Sequence, residues 1–184
     1  MSAPAEMKPL LFVTVGTDHH PFDRLVRWVD AWLEGGGNVI ARCLLQHGAS
    51  IRPAHADSRD FLGCDAMRAT MEEAAVVACH GGPGTIMQAV DVGKVPIVVP
   101  RLRALGEHVD DHQVVFARSM AREGKIALAE DEGRFRALVE QALAAPTARA
   151  RVASSSAAEA VRRFAEIVDA LMLDEGDRLA APVR

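Results

Sequence analysis

The chain has 184 residues, a formal net charge of −4 and only 4% aromatic residues. That length suits one α/β domain able to bury a proper core. The negative balance and the scarcity of stacking rings argue against nucleic-acid binding, which wants a basic stripe with aromatic platforms. No apolar run approaches the ~20 residues needed to span a bilayer. Cys43, Cys64 and Cys79 are odd in number and form no CxxC pair, which fits reduced, structural thiols. Met1 to Pro9 carries one lysine and no apolar signal core, so a cytoplasmic location is expected.

Leu10 to Val15 is a continuous apolar run with β-branched residues, the pattern of a strand buried on both faces. Gly16-Thr17 ends it, and Pro21 suits the first turn of a helix. Phe22, Leu25, Val26, Val29, Trp32 and Leu33 fall on one helical stripe, which Gly35-Gly36-Gly37 stops. Asn38 to Leu45 reads as the next strand, Arg59 to Leu62 as a short one, and Asp65 as the N-cap of a helix through Ala74 with Met67 and Met71 inward. Ala75 to Cys79 is a strand and Thr85 to Val92 a helix with Ile86, Met87, Ala89 and Val90 inward, stopped by Gly93. Pro96 to Pro100 is a strand, and Asp111 to Glu123 a helix with Val114, Val115, Ala117 and Met120 inward, ended by Gly124. Ile126 to Ala129 and Glu132 to Ala144 complete the series as strand and helix. Strands alternating with helices predict an α/β, doubly wound parallel sheet of Rossmann-like type. Residues 1–146 form its body; 147–184 hold a polar hinge, an amphipathic helix from Ala157 to Leu173 and a tail.

The chemistry concentrates between Ala75 and Gln113. His80-Gly81-Gly82-Pro83-Gly84 joins a strand to a helix start, where amides lack intrahelical partners and the dipole favours an anion. A dinucleotide fingerprint would need glycine at position 87, which is Met, and Gly93-Lys94 is followed by Val95 rather than Ser or Thr, so no P-loop is present. Glu107, His108, Asp110, Asp111, His112 and Gln113 crowd polar groups between a strand exit and a helix start. Their order lacks the HExxH arrangement, and no metal site is expected there. Asp18, His19 and His20 follow the first strand, a position open to a phosphate neighbour, to a general base, or to a plain surface loop.

Four blocks in order, TVGT (Thr14–Thr17), FDRLV (Phe22–Val26), CHGGPGT (Cys79–Thr85) and GEHVDDHQ (Gly106–Gln113), resemble the donor-binding half of GT-B glycosyltransferases and, within them, the family 28 C-terminal domain. The chain is similar to the small soluble subunit of split transferases, such as the two-component N-acetylglucosaminyltransferase of dolichol-linked oligosaccharide synthesis and its bacterial exopolysaccharide counterparts. The resemblance implies a single GT-B C-terminal-type domain that takes a nucleotide-sugar, expected to be a UDP-sugar, as substrate with no tightly bound cofactor. It implies that Gly16, Thr17, His80, Gly81, Gly82, Gly84, Thr85 and Gln88 meet the nucleotide and diphosphate and that His112 and Gln113 meet the sugar, with Glu107 and Asp111 of the same segment as further sugar-binding candidates. Gln88 stands where the relatives carry an acid that grips both ribose hydroxyls, so one acceptor and one donor replace a charged acceptor. The general base stays unassigned, with Asp18 and His19 as candidates on which the resemblance is silent. A membrane-associated partner would hold a lipid-linked acceptor, with the Ala157–Leu173 helix either docking to it or packing on its own domain; a homo-oligomer stays open. The competing readings are a nucleotide-sugar sensor without catalysis and a small hydrolase of activated phosphates.

Overall fold

The five residues Leu10–Thr14 form β1, and all are buried. A strand covered on both faces must be apolar along its length. β1 lies inside the sheet of the computed structural model, which describes residues 7–145. Its neighbours are β2 (Arg42–Gln46) and β4 (Val76–His80). Beyond β2 lies β3 (Asp57–Arg59); beyond β4 lie β5 (Ile97–Val99) and β6 (Ala127–Leu128). Every pairing is parallel, and the order β3-β2-β1-β4-β5-β6 is that of a doubly wound, Rossmann-like sheet. The winding reverses between β1 and β4, which opens a crevice at their carboxyl ends.

The helices divide between the two faces as the alternation of β1 demands. Leu11 and Val13 pack with Leu25, Val26, Val29 and Trp32 of α1 (Asp23–Trp32) and with Phe135, Leu138 and Val139 of α6 (Glu132–Ala144). On the other face Leu10 and Phe12 pack with Met67 and Met71 of α3 (Cys64–Glu73) and Ala89 of α4 (Pro83–Asp91). Further along that face Ile86 and Val90 of α4 meet Val98 and the Phe116, Ala117 and Met120 side chains of α5 (His112–Arg122). The α/β, doubly wound architecture is therefore as expected from sequence.

Several local expectations are corrected. Asn38–Ile40 is not strand but a single helical turn, α2, following a π-type turn at Leu33–Gly37. The Ala41 amide bonds back to the Gly37 carbonyl at 3.0 Å, and Arg42, which donates to the Pro9 carbonyl at 3.0 Å, is the first residue able to join β1. Val39 and Ile40 consequently face solvent. Gly63, not Asp65, occupies the N-cap of α3, and Asp65 sits in the first turn. Pro21 precedes α1, whose N-cap is Phe22. Val115 points outward while Phe116 is buried, because the inward stripe of α5 runs through Gln113, Phe116, Ala117 and Met120 and Val115 falls beside it. The expected hinge, amphipathic helix and tail of 147–184 lie outside the described residues.

Candidate functional site

At the carboxyl end of β1 the backbone turns sharply at Gly16, whose φ of +84° is a conformation L side chains rarely take. The turn is held by a buried clasp. Thr14 Oγ1 donates to Gln46 Oε1 at 2.5 Å, the Gly16 amide donates to Thr14 Oγ1 at 3.2 Å, and Gln46 Nε2 donates to the Gly16 carbonyl at 3.3 Å. Sequence reasoning saw Thr14 only as part of a motif and Gln46 as the start of a loop. Buried polar residues ending neighbouring apolar strands were the available signal, since such groups need partners.

His80 ends β4 beside this turn, and its ring is wedged between two glycines. A Cβ on Gly16 would stand 2.5 Å from His80 Cε1, and one on Gly82 would stand 2.2 Å from Nε2. A Cβ on Gly81 would lie 2.8 Å from Gln113 Cβ, whereas Gly84 has open space around it. The HGGPG glycines thus divide by role, the first two making room for side chains and the last leaving a helix start uncovered. His80 is buried, and its Nδ1 has no hydrogen-bond partner of ordinary geometry. Burial first, then the Arg101 charge, push its pKa down to about 4, against the opposing pull of the Thr14 backbone and Asp18. At neutral pH it is an uncharged imidazole.

α4 begins directly after this wedge, with Gly82 at the N-cap offering no side-chain cap and Pro83 in the first turn. Proline lacks an N–H and the Ile86 amide bonds to the Gly82 carbonyl at 3.1 Å, so Gly84 and Thr85 carry the first-turn amides that have no intrahelical partner. Gly16, Thr17, His80, Thr85 and Gln88 line one pocket of about 190 Å³ at this point, closed on the other side by Phe61, Leu62 and Met67. Small-molecule sites usually occupy roughly 300–1,000 Å³, so a larger ligand would extend past the mouth. The fold therefore brings five of the eight residues expected at the nucleotide onto one pocket wall, with Gly81, Gly82 and Gly84 in the turn behind it.

The four residues expected at the sugar stand apart from that wall. Glu107 is buried, receives Arg24 Nε and Nη2 at 2.8 Å each, and accepts from the Leu102 amide at 2.9 Å. With Arg24, Arg27, Trp28 and Leu105 it lines a separate cavity of about 570 Å³. Gln113 Oε1 accepts from the Arg101 amide at 3.3 Å, and Asp111 Oδ1 accepts from the Arg103 amide at 3.1 Å. His112 Nδ1 lies 2.7 Å from Asp110 Oδ2. Arg101, which sequence reasoning passed over, is fully buried and donates to the Val15, His20 and Glu107 carbonyls at 2.8, 2.6 and 2.9 Å, with its guanidinium 4.9 Å from the Phe22 ring centroid. It ties the loop after β1 to the loop before α5. Asp18 sits in the first of these loops. Burial alone would raise its pKa, but the His20 backbone and ring, with Arg101, hold it down at about 2. So acidic a carboxyl is a weak proton acceptor at neutral pH. His19 beside it is 85% exposed.

The family model of the glycosyltransferase family 28 C-terminal domain matches residues 10–171, and the chain belongs to this family. Its fold is that of the GT-B C-terminal domain. Solved structures similar to it include the glycotransferase of kitacinnamycin (TM-score 0.57, 19% identity, 92% of this chain and 41% of that one). MurG of Acinetobacter baumannii (0.57, 18%, 90% and 51%) and the calicheamicin glycosyltransferase CalG4 (0.55, 15%, 99% and 45%) are similar likewise. The chain thus spans between 41% and 51% of the length of these proteins. At such identities the likeness is one of fold. No curated protein sequence matches it.

Proposed function

We propose that this chain is the donor-binding component of a glycosyltransferase, taking a nucleotide-sugar, a UDP-sugar, at the switch point of its sheet. The carrying observation is the uncapped start of α4 opening onto a pocket shared by His80, Thr85 and Gln88, in a chain of this family. The diphosphate would lie against the Gly84 and Thr85 amides and the Thr85 hydroxyl, with Gly16 and Thr17 on its other side. Neutral His80 could offer one N–H without a competing charge. These groups would stabilise the charge that builds on the diphosphate as the sugar leaves. Gln88, one turn into α4, would meet the ribose. The sugar would face the loop bearing Glu107, Asp111, His112 and Gln113, with Glu107 and Gln113 holding that loop in shape from inside.

The acceptor would come from a partner, membrane-associated and presenting a lipid-linked hydroxyl. The test is a thermal-shift panel of the purified chain with UDP, GDP, ADP, TDP and NAD. A shift with UDP alone supports the reading; a preference for another diphosphate changes the donor, and no shift with any removes the site. One observation favours a second reading, a nucleotide-sugar sensor without transfer: Gln88 on the pocket wall is uncharged. Ligand binding with no sugar transfer after the partner is supplied would favour the sensor.

A further inference from the structure

Six side chains in the loop after β1 and at the start of α5 and the loop before it are joined by polar contacts. Asp18 is their centre. Its Oδ1 accepts from the His20 amide at 2.7 Å and lies 2.6 Å from His20 Nδ1 and 3.5 Å from His19 Nδ1. Its Oδ2 lies 3.6 Å from His108 Nε2. On its other side His108 Nδ1 is 3.2 Å from Asp110 Oδ1, which belongs to the carboxylate that meets His112. The His19 and His20 rings are 3.9 Å apart and the His20 and His108 rings 6.1 Å.

We propose that Asp18, His19, His20 and His108 form a binding site for a zinc-class divalent cation. Ligand atoms bound tetrahedrally at about 2.0–2.1 Å stand roughly 3.3 Å from one another. His20 Nδ1 and His19 Nδ1 stand 2.6 and 3.5 Å from Asp18 Oδ1, which brackets that spacing, and His108 Nε2 stands 3.6 Å from the other oxygen, Oδ2. The ligand atoms of Asp18, His19 and His20 all lie within 4.8 Å of one another; His108 is outside that trio, touches it through Asp18 Oδ2, and would have to close on the ion as the fourth ligand. Three imidazoles and one carboxylate suit zinc, cobalt or nickel rather than magnesium, which wants oxygen ligands. On His108, the ring nitrogen not facing Asp18 meets Asp110, whose carboxylate lies 3.2 Å and whose amide 3.4 Å from Nδ1, an outer contact of the kind metal-binding histidines have. Arg101 opposes a cation nearby, but the Asp110 carboxylate stands close too, 3.2 Å from His108 Nδ1. The ligands come from the loop after β1 and the loop before α5, so an ion would clamp together the two segments that Arg101 ties from below. The expectation of no metal weighed the Glu107–His112 segment by itself; the fold brings Asp18, His19 and His20 to it. An ion can be held here with or without a nucleotide, so this site stands independently of the donor reading.

The test uses the tag-free full chain, stripped with chelator and titrated with Zn²⁺ by calorimetry and with Co²⁺ by visible absorption. One ion per chain is expected, with a Co²⁺ spectrum of low coordination number and a zinc-dependent rise in Tm. His20→Ala and His108→Ala should each weaken zinc binding by at least about tenfold. His108→Gln, which keeps a polar group beside Asp110, should weaken it as much, and His55→Ala, exposed elsewhere, should not. Metal-free Tm values of His108→Gln and the parent should agree. No zinc or cobalt uptake by the parent chain, or uptake unchanged in His20→Ala and His108→Gln, would overturn the proposal.

Discussion

His80 is held by what its neighbours lack. Gly82→Ala would drive a methyl to 2.2 Å from His80 Nε2, and because the ring is buried it has to move. We expect a loss of about 1–3 kcal/mol, the usual range for overpacking, read by urea denaturation. Gly16→Ala adds the strain of a left-handed backbone, about 1–2 kcal/mol by itself. Gly84→Ala meets nothing within 4 Å among the described residues and should leave stability within about 1 kcal/mol of the parent. Gly84→Asp should fold equally well yet weaken UDP binding, because it sets a carboxylate where the phosphates would lie. The protonation of His80 adds a pH dependence. Its pKa falls from 6.5 unfolded to about 4 folded, so between those values the unfolded chain binds the extra proton. Stability is then complete above pH 6.5 and is lost as the pH falls toward 4, by up to about 3 kcal/mol. Asp18 adds its own loss only below its ordinary 3.8, on the way down to about 2. Urea midpoints at pH 7.5 and 5 should therefore differ more for the parent than for His80→Gln. Equal differences would assign the acid sensitivity to other groups.

Among the elements, the contact between α1 and the loop before α5 is the costliest to cut. Arg24 and Glu107 are 15% and 7% exposed in their side chains, and Glu107 also takes the Leu102 amide. Glu107→Ala leaves a nearly buried guanidinium unpaired and should cost about 3 kcal/mol. Asp131→Ala removes only the cap bond from the Arg134 amide, 2.7 Å long, and should cost about 1 kcal/mol with UDP affinity unchanged. Chemical denaturation of the two variants ranks them. How far the elements were legible depended on how local their cause was. β1 is apolar almost throughout and β4 up to its last residue because both faces are covered, so hydrophobic pattern located these strands closely, and the bounds expected for α6 are those observed. Asn38–Ile40 misled because an apolar pair after glycines suits a strand, and only the Pro9 carbonyl decides that β2 starts at Arg42. The HGGPGT turn between β4 and α4 was legible as a turn, since clustered glycines and a proline between an apolar run and a helical stripe mark one. Arg101, Gln46 and the pairing of Asp18 with His108 were not legible, because Arg101 reaches back 81 and 86 residues to His20 and Val15, Gln46 reaches back 30 and 32, and Asp18 and His108 are 90 apart, so no local pattern carries them.

In the whole molecule these parts converge on the point where the sheet reverses its winding. β1 delivers Gly16 and Thr17 there, β4 delivers His80, and α4 presents its free amides to the same crevice. A doubly wound sheet puts ligands at this point because two crossovers leave in opposite directions and expose the strand ends between them. Among the described residues no helix is long and apolar enough to cross a membrane. The most direct test of the account is a crystal structure of the full chain with UDP. It predicts the diphosphate against the amides of Gly84 and Thr85 beside His80, with the ribose toward Gln88. A diphosphate bound elsewhere, or a well-ordered crevice left empty at saturating UDP, would contradict it.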